Sequence, residues 1–221
     1  MFLKILTPYI DIKYKKFSEK LFSKKPNMLG VRIPSLKKIS KGLDIDLDNL
    51  DISSLEYMEE KFLVLFFICN LKNKIKCLDI AASLVDNWSL CDSFCSSFKI
   101  TQSEKENVLK WIYAQITSGK EYNTRMALVL LKNYYIEDKY ISVILDICSN
   151  LKSDYYYVNM GVSWLLQSVY LKYPKEVITL LSNNTLSTFV QNKTISKICD
   201  SKVVTLEEKN NLKKIKTRET L

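Results

Sequence analysis

The sequence predicts an all-α fold, a right-handed α-solenoid built from antiparallel helix pairs. Three observations support this prediction. The 221 residues include four glycines and four prolines, so few positions interrupt a helix. Apolar residues recur at helical spacing along nearly the whole chain. Two segments that begin 35 residues apart also resemble each other, and this period is typical of helix-pair repeats.

The N-terminal half contains a series of amphipathic segments separated by polar or loop-like stretches. A basic amphipathic helix is predicted over Asp11–Ser23, with Ile12, Phe17 and Leu21 facing the core. The further predicted segments of this half are the loop Lys24–Pro34, the short helix Ser35–Lys41, the acidic connection Asp44–Ser53, and the helices Leu55–Leu71, Lys72–Val85 and Trp88–Phe98.

The C-terminal half carries the repeat. The segment RMALVLLKNYY begins at Arg125 and MGVSWLLQSVY begins at Met160, so that Tyr135 matches Tyr170. An apolar helix follows each copy, as in HEAT-like or TPR helix pairs, although two amphipathic helices can also resemble each other by chance. We expect a single HEAT-like domain over residues 1–221. The predicted helices of this half are Ser103–Thr117, Glu121–Tyr135, Asp138–Asn150, Asp154–Tyr173, Lys175–Leu181, Asn192–Cys199 and Thr205–Lys216.

Composition limits the chemistry that the chain can perform. The formal charge of +9 favours nucleic acid or an anionic membrane surface as partner, unless it only reflects a Lys-rich composition. The absence of histidine excludes His-based acid–base catalysis and His-ligated metal sites. The six cysteines lack the paired spacing of a zinc site, so we expect reduced thiols in the core. No segment resembles a signal peptide or a membrane span, which predicts a cytoplasmic protein.

The segment VDNWSLCDSFC, Val85–Cys95, is the most unusual of the sequence. Asp86 and Asn87 favour a helix start, after which Trp88 and Asp92 lie four residues apart on one helix face. An indole beside a carboxylate is not an ordinary core pattern, and the pair is therefore a candidate site. The alternative is a half-buried Trp beside a surface or capping carboxylate.

Three further segments supply candidate binding residues. Arg125 opens an otherwise apolar helix, where its charge opposes the helix dipole and favours an internal carboxylate or a phosphate as partner. The run DYYYVNMGVSW places Tyr156 and Trp164 on the second repeat, where they line a cleft or fill the core. In MLGVRIPSLKK, Arg32 and Lys37 accompany a helix start whose amides are predicted to meet a phosphate, unless the segment is a simple tight loop.

Taken in order, LGVRIP, NWSLCDSF, TRMALVLL and DYYYVNMGVSWLL resemble the AlkD family of HEAT-like alkylpurine DNA glycosylases. In that family a Trp-x-x-x-Asp pair, an Arg that opens a later helix and a second Trp surround the nucleotide that bears the lesion. The resemblance implies catalytic roles for Trp88, Asp92 and Trp164, and a phosphate contact for Arg125.

The implied reaction is hydrolysis of the N-glycosidic bond of an N3- or N7-alkylated purine, which leaves an abasic site. The alkylated base is already cationic, so the reaction needs no histidine, metal or cofactor. Asp92 would stabilise the positive charge that develops on the deoxyribose. Arg125, Arg32, Lys37 and Tyr156 would bind alkylated double-stranded DNA, mainly through its phosphate backbone. We expect a monomer that does not bind membranes.

The N-terminal region departs from the pattern of active family members. Those members carry an additional aromatic-bearing helical element there, whereas the stretch before LGVRIP is short, and Leu21 and Phe22 fall where an informative Tyr is expected. Two alternatives therefore remain. One is a non-catalytic homologue that binds nucleic acid or a protein, and the other is a protein-binding solenoid in which the candidate residues are structural.

Overall fold

The structure, a computed structural model that describes residues 2–217, is all-α. This part of the chain contains thirteen α-helices and no strand. The helices pack as helical repeats, which confirms the predicted fold class. Spatial contacts divide the chain into two compact units, of which the first ends at Glu104 and the second begins at Lys105.

The first unit is organised around one buried helix, α4. The helices of this unit are α1 (Leu3–Leu6), α2 (Ile12–Glu19), α3 (Ile33–Ser40), α4 (Met58–Asn70), α5 (Leu78–Leu84) and α6 (Trp88–Ser97). The apolar run in α4 leaves no polar side, and every residue from Phe62 to Ile68 is buried. Helices α3, α5 and α6 pack around α4.

Helix α2 packs on a different face from the one predicted. The residues expected in the core are each more than half exposed, at 57% for Ile12, 60% for Phe17 and 52% for Leu21. The helix instead docks through Asp11, whose amide donates to the Gly30 carbonyl at 3.1 Å, and through the buried Ser18. This backbone contact sets the rotation of a short helix, and the apolar residues turn outward as a result.

Gly30 makes the close approach of α2 possible. It has a φ of +95°, and a Cβ there would lie 2.6 Å from the Asp11 carbonyl oxygen and 2.7 Å from Lys15 Cβ. We expect Gly30→Ala to lower the free energy of unfolding by about 2–5 kcal/mol in urea denaturation, because backbone strain adds to steric overlap.

Gly119→Ala is the matched control for this substitution. Gly119 has a φ of +70°, but a Cβ there would meet no atom within 4 Å. The control therefore carries backbone strain without overlap, and we expect a loss of about 1–2 kcal/mol. Equal losses in the two variants would contradict the close-approach explanation.

The second unit has the repeat architecture predicted from the sequence. Its helices are α7 (Lys105–Ile116), α8 (Glu121–Tyr134), α9 (Ile141–Asn150), α10 (Tyr156–Tyr170), α11 (Pro174–Ser182), α12 (Thr188–Cys199) and α13 (Leu206–Lys214). Helices α8, α10 and α12 pack successively against one another as one layer, and α9 packs against α11 in a second layer. The matched residues Tyr135 and Tyr170 are both buried. The repeat is thereby confirmed, because residues that match in the sequence are buried in the same helix layer.

Polar contacts join neighbouring repeats at the same spacing. Lys105, which is 5% exposed, donates to Glu137 at a sequence separation of 32 residues. Its ammonium also lies 5.7 Å from the centre of the Tyr135 ring. A buried charge needs such a partner to offset its desolvation. Lys139 donates in the same way to Glu106, 33 residues earlier.

The element boundaries differ from the predicted ones at a few places. The segment predicted as a helix from Lys72 begins with a 3-10 turn, Lys74–Cys77, and becomes α-helical at Leu78. Helix α12 begins at Thr188, before the predicted Asn192, because the Ser187 hydroxyl caps it by accepting from the Val190 amide at 3.3 Å. None of the described helices is long and apolar enough to cross a membrane.

All six cysteines are free thiols. Cys91, Cys95 and Cys148 are buried, and the other three are half-buried. Burial raises the pKa of Cys69 to about 12, against a smaller opposing effect of Lys37 and Lys74. This thiol therefore remains protonated at neutral pH and serves as an apolar packing residue.

Candidate functional site

Helix α6 presents Trp88 and Asp92 on successive turns, and both side chains are half-buried. The helix start is fixed by Asn87, whose side-chain oxygen accepts from the amides of Ser89 at 3.0 Å and Leu90 at 3.1 Å. This is the N-cap that the sequence predicted. Because Leu90 is fully buried on another side of the helix, the orientation of the Trp88–Asp92 face is set.

An aromatic ring from the N-terminal region packs on Trp88. The Phe22 and Trp88 rings are stacked, with centroids 5.2 Å apart and planes inclined by 27°. A cavity of about 140 Å³ adjoins them, with Tyr14, Met28 and Phe62 among its lining residues. Its volume is well below the roughly 300–1,000 Å³ of pockets that enclose drug-sized ligands.

A buried carboxylate organises the loop before α3. Glu59 is 2% exposed, and its side-chain oxygens accept from the amides of Leu29, Gly30 and Val31 at 2.8, 2.7 and 3.2 Å. These three amides precede the start of α3, whose own amides were the ones predicted to meet a phosphate. The carboxylate of Glu59 thus fixes the loop that leads into α3.

Arg32 and Lys37 lie at the surface of the first unit. The Arg32 guanidinium donates to Asp11 at 2.9 Å and lies 4.7 Å from the centre of the Tyr14 ring. A hydrogen bond from the Tyr14 amide and then the Arg32 guanidinium lower the pKa of the Asp11 carboxyl. The charge of Arg32 is thus shared with an acidic neighbour, whereas the Lys37 ammonium lies 5.3 Å from the Phe66 ring.

In the second unit, Arg125 is held between α8 and the start of α10. It is 6% exposed, and its guanidinium donates to the Tyr157 carbonyl at 2.9 Å. A Cβ on Gly161 would lie 3.9 Å from Arg125 Cγ and 3.1 Å from Leu128 Cδ1. The glycine therefore lets α8 and the arginine stem approach α10 closely. Glu121 contributes to the same junction by accepting from the Tyr157 amide at 3.3 Å.

A lysine side chain packs against the ring of Trp164. The Lys132 ammonium, from α8, lies 3.9 Å from the centre of the Trp164 ring on α10. Both side chains are half-buried. Such a cation–π contact fixes the ammonium in place. The pair is thus an indole and a lysine held together within one helix layer.

A row of aromatic rings crosses the starts of α8, α10 and α12. The Tyr122 and Tyr157 centroids are 5.7 Å apart, those of Tyr157 and Tyr156 are 5.2 Å apart, and those of Tyr156 and Phe189 are 5.9 Å apart. Tyr156 is 54% exposed and Phe189 is 41% exposed. The predicted DNA-contacting residue Tyr156 is therefore at the surface, in contact with an aromatic partner on the next helix of the layer.

Positive charges accumulate next to this row. Burial lowers the pKa of the Lys197 ammonium, and the charge of Lys193 lowers it further. Asp200 opposes this effect and Arg125 adds to it. Lys197 is thus close enough to Lys193 and to Arg125 to be repelled by each of them, and Asp200 supplies an attraction that offsets this in part.

A family model described as DNA alkylation repair enzyme matches residues 3–218 of the chain. The chain belongs to this family. The match confirms the resemblance to AlkD-like proteins and implies DNA as the partner. A comparison with curated proteins gives no significant match.

In this DNA alkylation repair family member, each unit carries part of the predicted site. The first unit holds Trp88, Asp92, Arg32 and Lys37, and the second holds Arg125, Tyr156 and Trp164. No group of three or more His, Cys, Asp or Glu side chains among residues 2–217 is arranged to hold a metal ion.

Sequence reasoning missed several residues of these surroundings. The contact of Lys132 with Trp164 was not predicted, although Lys132 lies seven residues after Arg125 and hence on the same helix face. A similar signal was available on α12, where Phe189, Lys193 and Lys197 follow one another at intervals of four. No local pattern indicated the role of Glu59, because the amides that it binds lie 28 to 30 residues earlier in the chain.

Proposed function

We propose that the protein is a DNA glycosylase that excises cationic N3- or N7-alkylpurines from double-stranded DNA and leaves an abasic site. The observation that carries the proposal is the half-buried Trp88–Asp92 pair on α6, in a chain of the DNA alkylation repair family. The pair combines a carboxylate with a π face, and both of these groups stabilise positive charge.

The chemistry requires little from the protein. Alkylation gives the purine a fixed positive charge, so the base leaves with the electrons of the glycosidic bond as a neutral molecule. Positive charge then develops on the deoxyribose, where Asp92 stabilises it and orients a water molecule toward C1′. Water adds at C1′ and loses its proton. Trp88 contributes the electron-rich face of its indole.

The neighbouring thiol is suited to a structural role. Burial first, and then Cys91 and Asp92, raise the pKa of Cys95, which lies one turn after Asp92 on α6. A protonated thiol is a poor nucleophile. Asp92 therefore supplies the anionic group at this turn of α6 in the proposed mechanism.

DNA contacts come from both units in this proposal. We assign phosphate contacts to Arg32, Lys37 and Arg125, and a surface contact to Tyr156. Within the second unit, Trp164 is proposed to contact a deoxyribose of the DNA and Lys132, whose ammonium lies 3.9 Å from the centre of the indole ring, a phosphate. The Arg32–Asp11 ion pair weakens the contribution of Arg32 to the positive field.

The direct test is release of free base from methylated duplex DNA. We expect the protein to release N7-methylguanine and N3-methyladenine, detected by chromatography, and to leave alkali-labile abasic sites in equal number. A chain that releases neither base from duplex DNA that it binds would contradict the proposed reaction.

A second candidate function is that of a non-catalytic DNA-binding homologue. The observation that favours it is the stacking of Phe22 on Trp88, which covers one face of the indole with a residue of the chain itself. This candidate predicts binding of duplex DNA with a steep dependence on salt concentration but no release of alkylated base. Titration of duplex DNA at two salt concentrations, beside the release assay, separates the two functions.

Lys132→Ala is expected to weaken binding of undamaged duplex DNA and to make the slope of log K against log salt shallower by about 0.9, because one phosphate contact is lost. Lys175→Ala is the matched control, since Lys175 is an exposed lysine on α11, in the other helix layer. We expect the control to leave the slope unchanged. Equal slopes for wild type and Lys132→Ala would contradict the phosphate contact.

A further inference from the structure

One face of α12 is not used by the proposed glycosylase chemistry. Phe189, Lys193 and Lys197 follow one another at intervals of four residues, so their side chains share one side of this helix. Phe189 is 41% exposed, and both lysines are half-buried. This face therefore combines an exposed aromatic ring with two cations.

The Phe189 ring is held by a neighbour on α10. It meets the Tyr156 ring at a centroid distance of 5.9 Å and an interplanar angle of 64°, and Tyr156 is itself edge-on to Tyr157. Such edge-to-face contacts restrain the rings while they remain exposed. The result is a pre-organised aromatic surface at the start of α10 and α12.

The cations beside this aromatic surface favour a phosphodiester chain as the occupant. The positive charges of Lys193 and Arg125 lower the pKa of the Lys197 ammonium, and the negative charge of Asp200 offsets this effect in part. Aromatic rings beside lysines are the combination that binds single-stranded nucleic acid, where the rings stack on bases and the cations follow the backbone. In an intact duplex each base is already stacked between its neighbours, so an exposed ring can stack on a base only where a nucleotide is unpaired.

We propose that the α12 face binds an unpaired nucleotide of a DNA strand, with Phe189 stacked on the base and Lys193 and Lys197 on the flanking phosphates. This inference rests on the proposed function in so far as it takes DNA as the partner. It adds to that function a preference for DNA that contains an unpaired nucleotide, whether or not the strand carries a lesion.

The test compares two undamaged, fluorescently labelled duplexes that differ in one extrahelical thymidine. In anisotropy titrations at one salt concentration, we expect the wild-type protein to bind the bulged duplex about tenfold more tightly. This factor corresponds to the free energy of one base–aromatic stack. Phe189→Leu keeps the apolar bulk but removes the π face, and we expect it to abolish the preference. Phe189→Tyr is expected to retain the preference, and Tyr113→Leu, at an equally exposed ring on α7, serves as the matched control.

The lysines are tested in the same titrations. Lys193→Ala is expected to weaken binding of both duplexes and to make the salt slope shallower by about 0.9. A wild-type protein without preference for the bulge, or a Phe189→Leu variant that keeps it, would overturn the inference. A protein that prefers the bulge through Phe189 but releases no alkylated base would instead refute the proposed reaction and leave this inference standing.

Discussion

Asp92→Asn is expected to slow release of N7-methylguanine from methylated duplex DNA by at least about a hundredfold, the usual cost of removing one electrostatic stabiliser of a transition state. The substitution keeps the shape of the side chain and removes its charge, so the fold of α6 should be preserved. The loss is expected in kcat, because the carboxylate acts on charge that develops only as the base departs. Single-turnover release of the base measures this step directly.

The control for this prediction is Asp44→Asn, which removes a charge from the exposed connection before α4. It removes one negative charge, as Asp92→Asn does, and is expected to leave the rate unchanged. Affinity for the methylated duplex, measured by anisotropy, should be similar for the wild type and Asp92→Asn. If Asp92→Asn releases the base as fast as the wild type, Asp92 is not catalytic, whatever else the family membership implies.

Glu59→Gln is expected to destabilise the first unit by about 3 kcal/mol, since each buried donor left without an acceptor costs about 1–3 kcal/mol. Glu59 accepts from three successive loop amides, at 2.8, 2.7 and 3.2 Å. A Gln side chain offers one oxygen and an NH2 group, and the NH2 group would face amides that also donate. The loss corresponds to a fall in Tm of about 6–12 °C for a chain of this size.

Glu207→Gln is the matched control for Glu59→Gln. Glu207 is also the second residue of its helix, α13, but it is exposed. Glu207→Gln therefore removes a favourable interaction of the carboxylate with the helix dipole, worth about 0.3–1 kcal/mol, and no buried hydrogen-bond acceptor. Unfolding of the first unit can be followed by Trp88 fluorescence in a background with Phe at Trp111 and Trp164. Equal destabilisation in the two variants would contradict the role assigned to Glu59.

The helices were predictable because their signals are local. The repeat at Arg125 and Met160 depends on apolar residues three and four positions apart, and the same residues are buried in α8 and α10. The start of α6 was predictable for the same reason, since Asn87 caps amides two and three residues later. The spacing of Trp88 and Asp92 on one face follows from that helix alone.

The surroundings of the candidate residues were not predictable in this way. Phe22 stacks on Trp88 from a segment that is distant in sequence, and the carboxylate of Glu59 accepts from the amide of Gly30, 29 residues earlier in the chain. The rotation of α2 was also predicted wrongly, because a backbone hydrogen bond to Gly30 outweighs the burial of Ile12 and Phe17. Each of these contacts joins residues whose proximity depends on how helices pack.

The sequence by itself determined the all-α fold, the helix-pair repeat, the family and the Trp88–Asp92 spacing, since each follows from the residue pattern or from helical periodicity within a few turns. The tertiary structure alone decided which amides Glu59 satisfies, that Lys132 lies on Trp164, and that Phe189 meets Tyr156 beside a group of cations. The physical reason is that long-range contacts depend on the rotation and separation of packed helices. Those quantities are set by many weak interactions at once, and no single segment of the sequence contains them.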